Sequence, residues 1–205
     1  MSGLVCRDLG YRPLADVWAG MRRLTDERGA QTPDELWFVE HPPVYTLGLN
    51  ADPSHVLDAR EIPVVKTDRG GQVTYHGPGQ LVAYLLFDLG RSRMSVRRVI
   101  ESLEGAVVDT LAGYGIEAVA RRDAPGVYVS GRKLAAVGLR VRRHCSYHGI
   151  AVNVDMDLEP FRRINPCGSE GLEVTQLSDL CGAADVPSVR AGLSSALRAR
   201  LAPIG

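Results

Sequence analysis

The chain has 205 residues, 45% hydrophobic and 23% charged, and its 24 basic and 24 acidic residues cancel. That length suits one sizeable domain with its own core, and the balanced charge excludes a global field directed at nucleic acid or a membrane. No run is apolar enough to cross a bilayer, and the opening MSGLVCRDLGYRPLADVW is broken by Arg7, Asp8, Arg12 and Asp16, unlike a signal peptide. The expectation is a cytoplasmic protein whose four cysteines, Cys6, Cys145, Cys167 and Cys181, are reduced thiols.

Leu14, Val17, Trp18, Met21 and Leu24 recur at helical spacing, which predicts an amphipathic helix over about 12–28, ended by Gly29. Glu35 to Glu40 reads as a strand stopped by His41-Pro42-Pro43, and Ile62 to Lys66 as a second short strand. Gln72 to His76 and Leu81 to Leu89 read as a pair of strands joined by the Gly77-Pro78-Gly79 loop. Val96, Val99, Ile100, Leu103, Val107 and Leu111 mark a helix, with Ser95 at the N-cap and Gly113 beyond its end. Several strands follow: Glu117 to Ala120, Val127 to Val129, Leu134 to Val141 and Ser146 to Val154. A short helix, Ser178 to Cys181, closes at Gly182, and Pro187 opens a last helix carrying Val189, Leu193, Leu197 and Leu201. Strands and helices come in unequal runs, which predicts an α+β fold with a mixed sheet rather than a doubly wound one, built as a single domain over 1–205.

Four segments could carry chemistry. Arg69-Gly70-Gly71-Gln72-Val73-Thr74-Tyr75-His76-Gly77-Pro78-Gly79-Gln80 has glycines that allow close backbone approach, with polar side chains that a plain turn does not require. It lacks the GK[ST] ending of a phosphate loop, and no helix follows it as in a dinucleotide fingerprint. In Ile164-Asn-Pro-Cys167-Gly168 a cysteine sits in a sharp turn that could expose its sulfur, and a nearby cation would make it a nucleophile.

Gly131-Arg132-Lys133 opens a strand, and Lys133 is one of two lysines, with Lys66, beside 22 arginines. A lysine, unlike an arginine, can serve as a charge or as a base. Cys145-x-x-His148 raises zinc, but one strand would point the two side chains to opposite faces, so no metal is expected and His148, His41 and His55 read as hydrogen-bonded structural histidines. Three arginine clusters, Arg121-Arg122, Arg140 with Arg142-Arg143, and Arg162-Arg163, read singly as solvated surface and together as a basic rim for an acidic partner.

Three motifs in one order resemble the lipoyl(octanoyl) transferase family. They are Arg69-Gly70-Gly71 with Thr74, His76, Gly79-Gln80 and Tyr84; Gly131-Arg132-Lys133-Leu-Ala-Ala136-Val137-Gly138 leading into His148-Gly149-Ile150-Ala151-Val-Asn153; and Pro166-Cys167-Gly168. The resemblance implies a fold like the biotin and lipoate protein ligases. It implies transfer of an octanoyl group from acyl carrier protein to a lysine of lipoyl domains in 2-oxoacid dehydrogenases and the glycine cleavage H protein, without a cofactor. Cys167 would carry the acyl group as a thioester and Lys133 would be its partner. The acyl pocket would map to Arg69, Gly70, Gly71, Gln72, Val73, Thr74, Tyr75 and His76, to Ala136, Val137 and Gly138, and to Gly149, Ile150 and Ala151. Gln176 stands where the family pattern has serine. The nearer alternative is an ATP-dependent ligase of the same fold, and the other class is a carrier-binding module without catalysis.

Overall fold

A computed structural model of the chain describes residues 4–202. Ten strands and five helices follow in the order β1 (Val5–Tyr11), α1 (Leu14–Glu27), β2 (Glu35–Glu40), β3 (Val44–Leu47), β4 (Val64–Lys66), β5 (Val73–His76), β6 (Gln80–Asp88), α2 (Leu89–Ser92), α3 (Val96–Ala112), β7 (Val119–Ala120), β8 (Val127–Val129), β9 (Arg132–Arg142), β10 (Cys145–Asn153), α4 (Ser178–Cys181) and α5 (Val186–Arg200). Seven strands form one sheet in the order β1-β2-β6-β10-β9-β8-β7, and three form a small sheet, β4-β3-β5. Each sheet mixes parallel and antiparallel pairs, as β1 with β2 and β3 with β4 run parallel. The mixed-sheet α+β expectation is borne out.

Both faces of the large sheet are covered, so its centre does not alternate. Every residue of β10 is buried, and so is β6 up to Asp88. Leu103 and Leu111 of α3 and Leu193 and Leu197 of α5 pack on one face against Leu36, Leu85 and Ile150. Val17 and Met21 of α1 pack on the other, against Val82, Leu86 and Ala151. The small sheet has its own core of Tyr45, Val73, Tyr75, Phe161 and Ile164.

The long helices form where the apolar period and the caps agree. Ser95 Oγ accepts from Arg98 N at 3.2 Å at the start of α3, and Asp185 Oδ1 accepts from Ser188 N at 2.7 Å at the start of α5. The sequence reading missed two strands. β1 carries charges and is largely exposed at a sheet edge, held by the Arg7–Glu35 ion pair, and β3 has only four residues directly after two prolines. The segments either side of Gly77-Pro78-Gly79 are strands but not a pair: β5 joins β3, while β6 lies between β2 and β10. The loop carries the chain from the small sheet to the large one, and a cavity opens between the two.

Candidate active site

Strand β9 begins beside the segment 173–175, which grips Lys133 on both backbone groups. Lys133 N donates to Glu173 O and Thr175 N donates to Lys133 O, each at 2.9 Å. The side chain is 4% exposed and crosses the ring of Tyr128, with Nζ 5.3 Å from its centroid. Nζ ends 2.9 Å from Cys167 Sγ, across 34 residues of sequence.

Cys167 occupies a one-turn helix, Pro166–Gly168, and its backbone is left-handed at φ 57° and ψ 20°. Asn165 N donates to His55 O at 2.8 Å, and Gly168 N to Asn165 O at 2.9 Å, so the turn is tied at its base. His55 thus supports this turn through its backbone carbonyl, and Asn165 Nδ2 lies 3.4 Å from its Nδ1. The sulfur is half-buried at the edge of the cavity between the sheets.

Apolar and glycine positions make the cavity's sides. Ala136, Val137 and Gly138 come from β9, and Gly149, Ile150 and Ala151 from β10. A Cβ on Gly138 would meet the Gly70 carbonyl oxygen at 2.9 Å, so the glycine allows the 69–71 loop to close on β9, where Gly70 N donates to Leu139 O at 2.9 Å. Arg69 lines the cavity, and its guanidinium donates to Thr46 Oγ1, Thr46 O and Gly70 O at 2.6–3.1 Å rather than to a carboxylate. Burial pulls the Arg69 guanidinium down to about 10, against the opposing pull of Cys167 and Tyr84, so it stays charged at neutral pH.

Of the positions predicted for the pocket, Gly71, Gln72, Val73, Thr74 and His76 join those named above in lining it. Tyr75 and Gly70 do not. On β5 the side chains alternate, so Tyr75 turns into the small sheet's core against Tyr45 and Phe161, with ring centroids 5.5 Å apart in both pairs. Gly70 spends its amide on Leu139 and its carbonyl on Arg69.

The sequence reading left Leu14, Thr46, Thr67, Val82, Tyr84 and His148 outside the pocket, and all of them line it. Alternation along β6 was available for Val82 and Tyr84, whereas the positive φ of His148 breaks the alternation of β10. Nothing local marks Leu14 or Thr46.

Two of the lining side chains, Tyr84 and His76, are held by buried polar partners. His41 Nδ1 lies 2.7 Å from Arg12 O, an acceptor only, so Nδ1 carries the proton and Tyr84 O–H donates to His41 Nε2 at 2.8 Å. His76 Nδ1 donates to Gln80 Oε1 at 2.6 Å, Gln80 Nε2 donates to Asn153 Oδ1 at 2.9 Å, and Asn153 Nδ2 donates to Thr175 O at 3.0 Å. This buried chain runs from the cavity to the segment that grips Lys133.

His148 takes a positive φ of 61° inside β10, which brings it and its neighbour Tyr147 to the same carboxylate. Asp68 accepts from His148 Nε2 and Trp18 Nε1, each at 2.9 Å, and from the Tyr147 hydroxyl. Burial opposes ionisation of Asp68, but these three donors hold it well below the usual carboxylate range. Burial keeps His41, His76 and His148 below the ordinary histidine value, His76 at about 3.

Cys145 and His148 have separate partners, since Cys145 Sγ donates to Arg143 O at 3.4 Å. Each arginine cluster has one member in a local ion pair. Arg142 lies nine residues along β9 from Lys133, about 30 Å at strand rise. Arg121, Arg142 and Arg163 are paired with Asp123, Asp26 and Glu159. Gln176, at the position where serine was expected, accepts from Met156 N at 2.6 Å and donates to Asp179 at 3.1 Å.

Residues 13–198 match the family model described as lipoyl protein ligase A/B catalytic domain. The chain belongs to that family. It is 64% identical over 180 residues to an octanoyltransferase of Alkalilimnicola ehrlichii, covering 88% of this chain and 84% of that one. It is 56% identical over 198 residues to an octanoyltransferase of Pseudomonas entomophila, covering 96% and 92%. Among solved structures, a bi-partite lipoate protein ligase from Thermoplasma acidophilum superposes with a TM-score of 0.76 at 17% identity, over 98% of this chain and 84% of that one. The last similarity shows the fold, as the resemblance of the motifs implied.

Proposed function

We propose that this chain is an octanoyltransferase that moves an octanoyl group from acyl carrier protein to a lysine of lipoyl domains through a thioester on Cys167. The contact that carries this reading is Lys133 Nζ against Cys167 Sγ, 2.9 Å apart at the edge of a largely apolar cavity. The relatives named octanoyltransferase supply the chemical class. We read 1–205 as a single catalytic domain.

Cys167 reacts as a thiolate beside a Lys133 ammonium, whether the pair rests ionised or Lys133 takes the thiol proton as the sulfur attacks. It attacks the carbonyl carbon of the octanoyl thioester, the new C–S bond forms, and the carrier thiolate leaves with the proton of Lys133. Lys133 is now neutral and Cys167 is acylated. The acceptor lysine has an ordinary pKa of about 10.4, so only about one part in 2,500 is neutral at pH 7. Having lost one proton to solvent, its amine attacks the Cys167 thioester, and Lys133 takes the second proton as the C–N bond forms. Expulsion of the Cys167 thiolate restores the starting pair. An amide replaces a thioester, a downhill exchange that needs no ATP.

The amides of Gly70 and Gly168 are already engaged, so neither serves the oxyanion. The amides of Gly71 and of Cys167 itself have no partner among the described residues, and these two are the donors left for the oxyanion. The Arg69 guanidinium fixes the loop that presents the Gly71 amide.

The test is the intact mass of the protein after incubation with octanoyl-acyl carrier protein without ATP, followed by peptide mapping. The expected product is one octanoyl group on Cys167, released by a lipoyl domain. An unmodified protein together with acid-dependent ATP–pyrophosphate exchange would establish the ATP-dependent ligase instead. Carrier binding with neither activity would leave the binding module.

A further inference from the structure

Glu104 is a buried carboxylate, 5% exposed, that takes no part in the cavity or the sulfur chemistry. It lies on α3, and its Oε1 accepts from the backbone N–H of Gly126 at 2.6 Å. Gly126 has a φ of 140°, a conformation that side-chain-bearing residues rarely adopt. A Cβ there would stand 2.5 Å from Lys133 Cε and 3.2 Å from Nζ. One peptide unit therefore separates the carboxylate from the end of the lysine side chain.

The other charged or titratable groups around Lys133 are few. Cys167 is in contact with Nζ, and Tyr128 presents its ring to it. Arg121 sits on the same ring, 5.2 Å from its centroid, and Arg69 lies near Cys167. Glu173 contributes its carbonyl to Lys133 N while its residue is exposed, and Glu101 of α3 is paired with Arg97 and Arg122. Burial pushes the Glu104 carboxyl up, while the Gly126 amide and the charge of Lys133 oppose that.

These surroundings change when Cys167 is acylated. The Cys167 sulfur in contact with Nζ can carry the charge that balances a Lys133 ammonium, but its thioester is neutral. We infer that Glu104 is a positioning residue that becomes the charge partner of Lys133 in the acyl-enzyme, stabilising the ammonium as it forms while the acceptor amine attacks. The inference rests on the Cys167–Lys133 reading above and adds a residue to it. The covalent step is unchanged: the proton moves from the acceptor amine to Lys133, and Glu104 keeps its charge throughout.

The test compares the wild type with Glu104→Gln, which keeps an acceptor for Gly126 N and removes the charge. The first readout is single-turnover transfer from the isolated octanoyl-enzyme to a lipoyl domain, across pH. Loss of the carboxylate favours the neutral amine, so the midpoint of the pH–rate profile moves to lower pH by about half a unit or more, and the plateau falls. A purely structural role would lower the rate without moving the profile.

The second readout is NMR of protein labelled with [15N]lysine, which contains only Lys66 and Lys133. The Lys133 signal titrates at lower pH in the variant, and the Lys66 signal does not move. Profile and signal both unmoved would overturn the inference. The titration also runs on unacylated protein, so it decides the role of Glu104 even if no acyl-enzyme forms, an outcome that would count against the transferase reading alone. Should glutamine fail to fold, Glu104→Met is a second uncharged variant of similar size with the same expected shift in the Lys133 titration.

Discussion

Gly48 backs directly onto Gly71: a Cβ on Gly48 would overlap the Gly71 carbonyl oxygen. The contact lets Gly48 N reach Gln72 O at 3.3 Å and Leu49 N reach Arg69 O at 2.9 Å, so the 69–72 loop leans on the end of β3. Gly48→Ala must push that loop toward the cavity. The expected cost is about 1–3 kcal/mol of stability, from overpacking against backbone that cannot rotate away. Urea denaturation gives the cost, and acylation of Cys167 should slow more than the stability change explains. A variant with normal stability and normal acylation would show that the loop has room.

Lys133→Arg keeps a cation beside Cys167 but removes the base. Acylation should persist, while transfer to the lipoyl domain falls by about 10²–10⁴. Cys167→Ser should give no hydroxylamine-sensitive adduct. Rapid-quench measurement of the two half-reactions separates these effects, and equal losses in both steps for Lys133→Arg would argue against a base.

Asp68→Asn removes a carboxylate that accepts three side-chain donors, at an expected cost of about 2–3 kcal/mol near neutral pH. Because the native carboxyl lies below the unfolded one, its contribution is complete above the unfolded value of 3.8 and is lost as pH falls below it. Stability of the variant should therefore fall less steeply below about pH 4. Denaturant titrations through that range decide the point, and parallel curves for the two proteins would refute it.

The buried histidines act in the same direction at higher pH. His76 is held at about 3 against an ordinary 6.5, so the unfolded chain binds a proton that the native site refuses. Its contribution is complete above 6.5 and declines between there and about 3, by about 1.4 kcal/mol for each unit. His76→Asn should flatten the fall in stability between pH 6.5 and 5. Thermal melts of both proteins over that interval test it.

Cys145 should be silent. It is 4% exposed, and burial pushes its thiol up. Brief treatment with iodoacetamide at neutral pH should label Cys167 well before Cys145, and Cys145→Ala should transfer acyl groups normally. Protection of Cys145 by substrate would contradict this.

How much of this was legible in the sequence follows from where each signal lives. The helices α3 and α5 were readable because period and cap are local. Lys133 and Cys167 stood out by context, and three motifs in order named the family whose model matches. β1 and β3 were invisible, the first an exposed charged edge and the second a four-residue strand behind prolines. The strands flanking Gly77-Pro78-Gly79 resembled a hairpin because adjacency in sequence is the commonest route to pairing, and only the second sheet overrides it. The positions expected on β9 and β10, where small residues cluster, do line the cavity. Tyr75 lies outside the cavity because a motif lists residues consecutively while a strand sends them to opposite faces. Glu104 carries no local sign, since its relation to Lys133 exists only through Gly126.

The left-handed backbone of Cys167 has a consequence for the chain as a material. A residue with a Cβ in that conformation costs about 1–2 kcal/mol relative to glycine. Cys167→Gly would relax the turn at φ 57° but remove the partner of the buried Lys133 amine as well, so the gain in the turn is offset at Lys133 and no acyl group can be carried. Improving durability without losing turnover therefore requires selecting for both at once, or working at positions remote from this turn.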